Sequence, residues 1–261
     1  MKIIISPAKQ MRVDDGWDSC RRPQFLERTQ LLLAQLQQMS LPELQQLWQC
    51  NDKIAAENYR RVKNMRLEEN LTPAVLAYDG LQYAHMGPRV FETEAWDYVC
   101  RNLCILSGFY GLLRADDGVA PYRLEMQARL AVCGSRNLYE FWGGSLYNLL
   151  TAEDKTVLNL ASKEYSKAVE LYLQPDVRFV TCVFACGTPE KHKVKATEAK
   201  MARGYLVRWC AENNVQQLEE VREFCGYGYR YQPELSDESQ YVFIKADGKK
   251  QDSQSLSDFG V

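Results

Sequence analysis

The sequence holds few of the residues that zinc sites and hydrolase triads require. Only His85 and His192 are histidines, and the nine cysteines include no C-x-x-C pair. Because a structural zinc ion needs four closely placed Cys or His ligands, we predict no metal site, and we predict no cofactor. The motifs G-x-S-x-G and G-x-x-x-x-G-K-[ST] are absent too, which argues against a nucleophile elbow and a P-loop.

Long apolar runs are also missing. No stretch approaches the roughly 20 apolar residues that span a bilayer, and the net charge of −2 gives no overall attraction to membranes or nucleic acid. The run Ile3–Ile5 is shorter than the ~7–15-residue apolar core of a secretion signal, and we predict a buried first strand there. We therefore expect a cytoplasmic protein with no membrane partner, whose reduced cysteines mostly pack as small apolar side chains.

The chain shows no internal division. Repeats, low-complexity tracts and Pro/Gly/Ser-rich linkers are absent before the last dozen residues. We therefore predict one domain over residues 1–246, followed by a polar tail over 247–261 that frays.

Helical and β-type patterns are mixed along the domain. Apolar residues recur at helical spacing over 96–106, and Ser40–Glu43 matches a capping box at the start of a helix. The runs 75–78 and 156–160 are rich in strand-forming residues. Since these patterns do not alternate strictly, we predict an α+β (mixed α/β) fold, in which helices surround a mixed sheet.

A glycine-rich segment, Leu106–Gly111, is a candidate phosphate contact. Gly108 and Gly111 lie on either side of Tyr110, and Arg114 follows. Glycine tolerates positive φ, and the exposed amides of such a turn can form an anion-binding nest. With helical spacing ahead of it, the segment is similar to a helix-hairpin-helix element, which positions a duplex without reading its sequence. Its glycines are one residue further apart than usual, and the alternative is a plain helix C-cap and turn.

A basic segment runs from Pro189 to Arg208. It contains six Lys or Arg and two Glu, in a chain that is otherwise slightly acidic. Lys200 and Arg203 are three residues apart and share a helix face. The segment is a candidate for salt-sensitive polyanion binding, and the alternative is an ordinary solvated surface.

Two further segments carry candidate catalytic or binding residues. Pro121–Met126 contains Arg123, which can hold a carboxylate or phosphate through two hydrogen bonds. It also contains Glu125, which with Asp117 is a candidate acid, base or metal ligand. Lys9 follows the first strand, where it could act as a nucleophile or phosphate anchor. The alternatives are a structural Arg–carboxylate pair and a polar strand end.

These motifs, in this order, resemble the YaaA peroxide-stress family over about residues 1 to 245. The longest signature combines Leu106–Arg114 with Pro121–Met126, and its length makes chance a poor explanation. The other matching motifs are Ile5–Lys9, Asn51–Lys53, Leu138–Gly143, Asn159–Lys167 and Ala199–Gly204. The chain departs from the family at Ala115, where Pro is common, and at His85, where Gly is common.

The resemblance implies a cytoplasmic bacterial protein that protects the cell from hydrogen peroxide by limiting free iron. It also implies an α+β domain with a helix-hairpin-helix-like element and a basic cleft that binds double-stranded or structured DNA. On this basis we predict that the cleft is formed by basic residues on matching positions, namely Lys9, Arg114, Arg123, Lys167, Lys200 and Arg203. Gly108 and Gly111 would supply amides, and Tyr110, Tyr122 and Trp142 would stack on unpaired bases.

The same cleft could instead belong to an enzyme that acts on a nucleotide or another small anionic substrate. Glu125 or Asp117 would then be the acid or base, and Lys9 the nucleophile or anchor. A deep, narrow pocket would favour this enzyme, whereas a groove as wide as a duplex would favour DNA. A third hypothesis is an iron-binding or thiol-sensing protein, against which the two histidines and the absence of paired carboxylates at helical spacing argue.

Overall fold

The computed structural model describes residues 1–14, 21–69 and 71–246, and the predicted tail over 247–261 lies outside these ranges. The strands are β1 (Lys2–Ile5), β2 (Gln10–Met11), β3 (Thr72–Pro73), β4 (Tyr78–Asp79), β5 (Leu103–Ser107), β6 (Gly111–Arg114), β7 (Gly118–Val119), β8 (Thr156–Leu160), β9 (Arg178–Thr188), β10 (Lys191–Lys193), β11 (Tyr229–Tyr231) and β12 (Gln240–Lys245).

The helices are α1 (Leu26–Gln38), α2 (Leu41–Trp48), α3 (Asp52–Asn64), α4 (Ala74–Ala77), α5 (Leu81–Met86), α6 (Thr93–Asn102), α7 (Leu138–Trp142), α8 (Ser145–Leu150), α9 (Lys163–Glu170) and α10 (Ala196–Glu212). Single 3₁₀ turns lie at Pro88–Val90, Glu220–Glu223, Gly226–Gly228 and Pro233–Leu235. Within the described ranges, none of the helices has the length and apolar character needed to cross a membrane.

An eight-stranded sheet forms the centre of the fold, in the order β11-β12-β9-β8-β1-β5-β6, with β10 paired to β9. The strands from β12 to β5 in this order run parallel to one another. β11, β6 and β10 are antiparallel to their neighbours. The prediction of a mixed α/β fold with a mixed sheet is therefore confirmed.

β1 lies inside this sheet, between β8 and β5. Successive side chains of a strand point to opposite faces, yet Ile3, Ile4 and Ile5 are all fully buried. Both faces of the sheet are therefore covered, which explains why the strand is a continuous apolar run without alternation. Burial of each isoleucine side chain contributes about 1.5–3 kcal/mol.

Local signals in the sequence set the ends of the early helices. Ser40 N donates a hydrogen bond to Glu43 Oε2 at 2.7 Å, and this capping box begins α2. Asn51 Oδ1 accepts from Ile54 N at 3.0 Å at the start of α3. In each contact a side-chain oxygen accepts a hydrogen bond from a backbone N–H group at the start of the helix, which has no partner within the helix.

Three predicted elements differ in the structure. The helix predicted over 96–106 ends at Asn102, because the next five residues are buried as β5 between β1 and β6. The strand predicted over 75–78 is mostly the short helix α4. The helix-hairpin-helix-like element is not confirmed, because the glycine-rich segment closes a β-hairpin in which Ser107 pairs with Gly111.

Candidate functional site

A cavity of about 410 Å³ opens at the carboxyl ends of the central parallel strands. Residues Ser6–Gln10 follow β1 and form one side, and Ser162, Glu164 and Tyr165 follow β8 and form another. The segment Tyr122–Glu125 and helices α5 and α10 complete the walls. Open α/β sheets bind ligands at this edge, and the volume lies in the 300–1,000 Å³ range of small-molecule sites.

Ser6 and Ser162 join the two strand ends beneath the cavity. Ser162 N donates to Ser6 Oγ at 2.8 Å, and Ser6 Oγ donates to Ser162 Oγ at 3.2 Å. Tyr83 Oη donates to the Ser6 carbonyl oxygen at 2.9 Å and connects α5 to the same point. Since β1 and β8 are parallel and in register, residues far apart in the sequence emerge side by side at this edge.

Glu125 is the centre of an ion-pair group in the cavity. Its Oε1 lies 2.8 Å from Lys9 Nζ and 3.7 Å from Arg123 Nη2. Asp79, which also lines the cavity, pairs with Arg12 at 2.7 Å. The structure therefore brings together three of the residues that the sequence singled out, on two different segments.

Three residues that line the cavity each carry a buried hydrogen-bond donor that lacks a partner within the described chain. The donors are Gln82 Nε2, Arg123 Nε and Arg203 Nε. Gln82 is 6% exposed and the Arg123 side chain 9%. Burial also lowers the pKa of the Arg203 guanidinium from its ordinary value. Because a buried donor without a partner costs about 1–3 kcal/mol, three of them at one cavity indicate a place for a ligand that accepts hydrogen bonds.

Glu164 is the third carboxylate of the cavity, and it forms no ion pair within the described ranges. Its Oε1 accepts a hydrogen bond from Gln127 N at 3.3 Å. Burial, and then the nearby charge of Glu125, raise the pKa of Glu164 above its ordinary value, against the lowering effects of the Gln127 and Met126 N–H groups and of Lys9. This half-buried carboxyl group is therefore easier to protonate than an exposed glutamate.

A hydrogen-bonded group of hydroxyls supports one wall of the cavity. Tyr122 Oη lies 2.6 Å from Ser107 Oγ and 2.8 Å from Tyr78 Oη. Burial raises the pKa of Tyr122 to about 12. Its ring stacks on Phe109 with centroids 4.9 Å apart. Tyr122 is thus fixed by its neighbours on both its ring and its hydroxyl, and it lines the cavity as a rigid wall.

Comparison with known proteins agrees with the motifs in the sequence. A family model described as "Peroxide stress protein YaaA" matches residues 1–235. The chain belongs to this family. A UPF0246 protein of Ligilactobacillus salivarius is 49% identical over 246 residues, which cover 94% of this chain and 100% of the relative. UPF0246 proteins of Desulfitobacterium hafniense and Lachnoclostridium phytofermentans are 48% and 46% identical, covering 96% and 97% of this chain and 100% and 99% of theirs.

The first half of the long YaaA-family signature, Leu106–Arg114, lies behind the cavity and not in it. Gly108, Tyr110 and Gly111 are buried, and Ser107 Oγ accepts a hydrogen bond from Tyr110 N at 2.8 Å. These three residues are therefore closed off from phosphates. The stacking predicted for Tyr110 is wrong for the same reason, since its ring is fully buried.

Gly108 has a structural role that the sequence did not suggest. A Cβ at this position would lie 2.6 Å from the carbonyl oxygen of Leu124, so only glycine lets the hairpin pack against the segment that carries Arg123 and Glu125. The Gly108 carbonyl oxygen accepts a hydrogen bond from Trp142 Nε1 at 3.0 Å. Trp142 is buried by this contact and cannot stack on bases, contrary to the prediction.

Arg114 and Asp117 lie at the opposite edge of the sheet, where β1 begins. They line a separate cavity of about 730 Å³ together with Lys2. Arg114 N donates to Asp117 Oδ2 at 2.9 Å, and burial raises the pKa of Asp117 to about 7. Lys167 is exposed on α9, with Nζ 5.0 Å from the centre of the Tyr139 ring, and it does not line the first cavity.

The structure adds Gln82 and Glu164 to the site. Glu164 belongs to a motif that the sequence had matched, two residues after Ser162 at the end of a strand, and that position was the available signal. Gln82 had no signal, since only the packing of α5 against α10 turns it into the cavity. Among the described residues, no group of three or more His, Cys, Asp or Glu side chains is placed to hold a metal ion.

Proposed function

We propose that the cavity binds a small anionic molecule and acts on it by acid–base chemistry. The observation that carries this proposal is the presence of three buried donors without partners, on Gln82, Arg123 and Arg203, in one cavity. A carboxylate or phosphate group has several acceptor oxygens, which is the chemistry that such donors require. Charge-assisted hydrogen bonds of this kind are about twice as strong as neutral ones.

The balance of charges in the cavity also supports an anion. The cations that line it are Lys9, Arg123, Lys200 and Arg203, and the carboxylates are Asp79, Glu125 and Glu164. Asp79 is paired with Arg12 from outside the lining, and Glu164 has a raised pKa. Positive charge is therefore in excess at the inner surface.

The size of the cavity favours a small molecule over a duplex. A volume of about 410 Å³ suits a compound the size of a nucleotide, whereas a DNA duplex would contact only the rim. The Lys9–Glu125 ion pair lies beside Glu164, whose pKa is raised above its ordinary value, and a pair of carboxyl groups in different surroundings is what acid–base catalysis uses.

Calorimetric titration with sulfate at low ionic strength and pH 6 tests the proposal, because sulfate has the tetrahedral oxygens of a phosphate. The wild type is expected to bind sulfate at one site, and Arg123→Met to weaken binding by at least 10-fold. Arg230→Met is the matched control, since Arg230 is exposed on β11 away from the cavity. Equal affinity in Arg123→Met and the wild type, or no saturable binding, would contradict the proposal. Nucleotides and carboxylic acids that displace sulfate then identify the substrate class.

A second candidate function, DNA binding, is supported by exposed cations at the same edge of the sheet as the cavity. β9 runs parallel to β8 and β10 turns back from its carboxyl end, so this hairpin lies at the same sheet edge. Lys191, Lys193 and Lys200 are exposed and, in the ranges that the structure describes, form no ion pair. Lysines along a phosphate backbone release counterions. Lysines bound to the phosphates would also occupy sites at which Fe²⁺ binds DNA. We propose this as the route by which the protein protects DNA from iron and peroxide.

Titration of labelled duplex and bubble DNA over a salt series tests this second candidate. The Lys191→Ala/Lys193→Ala variant is expected to weaken binding and to reduce the salt slope by about 2, since each lost phosphate contact lowers it by about 1. Its sulfate affinity should stay that of the wild type. Absence of DNA binding by the wild type at low salt would reject the candidate and leave the small-molecule function standing.

A further inference from the structure

We infer that Glu164 is the proton donor of the cavity, which enters the complex as a carboxylic acid and donates its O–H to an oxygen of the bound anion. This inference rests on the proposed function and assigns a role to a residue that the sequence analysis did not select. The ligand class that it implies is an oxyanion, such as a carboxylate or phosphate, one oxygen of which faces Glu164 while others face the arginines.

The three carboxylates of the cavity differ in their partners. Asp79 lies 2.7 Å from Arg12, and Glu125 lies 2.8 Å from Lys9. Glu164 is the one of the three without a cation within ion-pair distance in the described chain, and its carboxyl group is hydrogen-bonded to the backbone N–H groups of Gln127, at 3.3 Å, and of Met126. When the surroundings of two carboxyl groups push their pKa values apart in this way, one residue acts in its ionised form and the other in its protonated form.

The groups that face Glu164 act in both directions on the pKa of its carboxyl group. The charged groups are Glu125, which repels its negative form, and Lys9, which attracts it but is already paired with Glu125. The titratable neighbours are Tyr165, whose pKa burial raises, and Tyr139, whose hydroxyl donates to the Glu164 carbonyl oxygen at 2.9 Å. The position of Glu164 in the first turn of α9 favours its charge. Burial and Glu125 nevertheless raise its pKa on balance.

An anion bound beside Glu164 would strengthen this preference. Its negative charge repels the carboxylate form and accepts a hydrogen bond from the acid form, so the pKa of Glu164 rises further in the complex. Binding is then accompanied by proton uptake. The affinity for the anion is highest where Glu164 is protonated and falls as the pH rises through the pKa of Glu164 in the free protein.

Calorimetric titration with sulfate between pH 5 and pH 8 tests this coupling, because sulfate stays a dianion over the whole range. The wild type is expected to lose about 10-fold or more in affinity across the range. Repeated titrations in two buffers of different ionisation enthalpy should show uptake of up to one proton. Glu164→Gln, which keeps the shape and a permanent N–H donor, should bind sulfate with little dependence on pH and without proton uptake. Asp79→Asn is the matched control and should keep the pH dependence of the wild type.

Each outcome decides a different point. If sulfate binds and Arg123→Met weakens it, but the wild type and Glu164→Gln show the same pH dependence, the role of Glu164 is wrong and the proposed function stands. If Asp79→Asn abolishes the pH dependence as Glu164→Gln does, the proton is not assigned to Glu164. If the wild type binds no sulfate at any pH, both the inference and the proposed function are overturned.

Discussion

Lys9 Nζ lies 2.8 Å from Glu125 Oε1, and this ion pair connects the segment after the first strand to the segment that packs against the β5–β6 hairpin. Lys9 is 65% exposed and Glu125 19%. Because Lys9 is largely exposed, the pair contributes little to stability, since exposed pairs contribute about 0.2–1 kcal/mol. The contact therefore matters mainly for the site, because it holds a cation and a carboxylate at the cavity.

Lys9→Ala is expected to weaken sulfate binding with little effect on the stability of the fold. The variant should lower the free energy of unfolding by less than about 1 kcal/mol, because Lys9 is largely exposed. It should weaken sulfate binding clearly, because a cation is lost and Glu125 is left with the more distant Arg123. Urea denaturation and calorimetry measure the two effects. Lys155→Ala, which removes an exposed pair with Asp176, is the control, and a larger loss of stability in Lys9→Ala than in this control would contradict the prediction.

Gly204→Ala is expected to damage both the fold and the site. A Cβ at Gly204 would lie 2.1 Å from the Gln82 carbonyl oxygen, so α5 and α10 would have to move apart. Overpacking of this kind destabilises by about 1–3 kcal/mol, and it would displace Gln82 and Arg203 from the cavity. Gly144→Ala is the matched control, since Gly144 has helical φ and ψ and its nearest neighbour is a Tyr172 ring atom at 3.4 Å. Equal stability of the two variants in urea denaturation would refute the close packing.

Tyr122→Phe removes the hydroxyl at the centre of the buried group. Ser107 Oγ and Tyr78 Oη would each lose a hydrogen bond, and we expect a loss of about 1–3 kcal/mol in the free energy of unfolding. Tyr59→Phe, at a half-buried tyrosine of α3, should change stability by less than about 0.5 kcal/mol. Thermal or urea denaturation checks both variants, and a neutral Tyr122→Phe would show that the hydroxyls are solvated.

Asp117 should make stability depend on pH. Burial raises its pKa from 3.8 to about 7 in the folded state, so the folded protein binds a proton more tightly than the unfolded chain between these values. Stability is therefore lost as the pH rises from about 4 to about 7, and the loss is complete above pH 7. Asp117→Asn has no such group and should gain stability relative to the wild type between pH 5 and pH 8.

The size of this relative gain should be roughly 2–3 kcal/mol, since one pKa unit corresponds to about 1.4 kcal/mol. Urea denaturation at a series of pH values measures it. Asp176→Asn, at an exposed carboxylate, should follow the wild type at every pH. A constant difference between Asp117→Asn and the wild type from pH 5 to pH 8 would show that Asp117 titrates normally.

Much of the local structure was predictable from the sequence. The first strand follows from the apolar run Ile3–Ile5, and the start of α2 follows from Ser40 and Glu43, because these signals act over one helical turn or one strand. The signature motifs identified the family, as the family model confirms. Lys9, Arg123, Lys200 and Arg203 were singled out by residue type and motif, and all line the cavity.

The glycine-rich segment shows where local signals were not enough. The helical spacing over 96–106 is real as a pattern, but its last residues are buried between two strands, and this burial outweighs the helical preference. Gly108 and Gly111 were correctly taken as turn residues. Which surface the turn faces depends on what packs over it, and Leu124 and Trp142 close it off.

The sequence by itself determined the family, the buried first strand and the residue types of the site. The tertiary structure alone decided which charged residues share a cavity. β5 runs parallel to β1, and β6 turns back, so Arg114 pairs with Cys104 near the edge where β1 begins. Lys9 and Glu164 follow parallel strands and meet at the other edge. Strand direction is set by long-range pairing, and no pattern within a few residues of Arg114 encodes it.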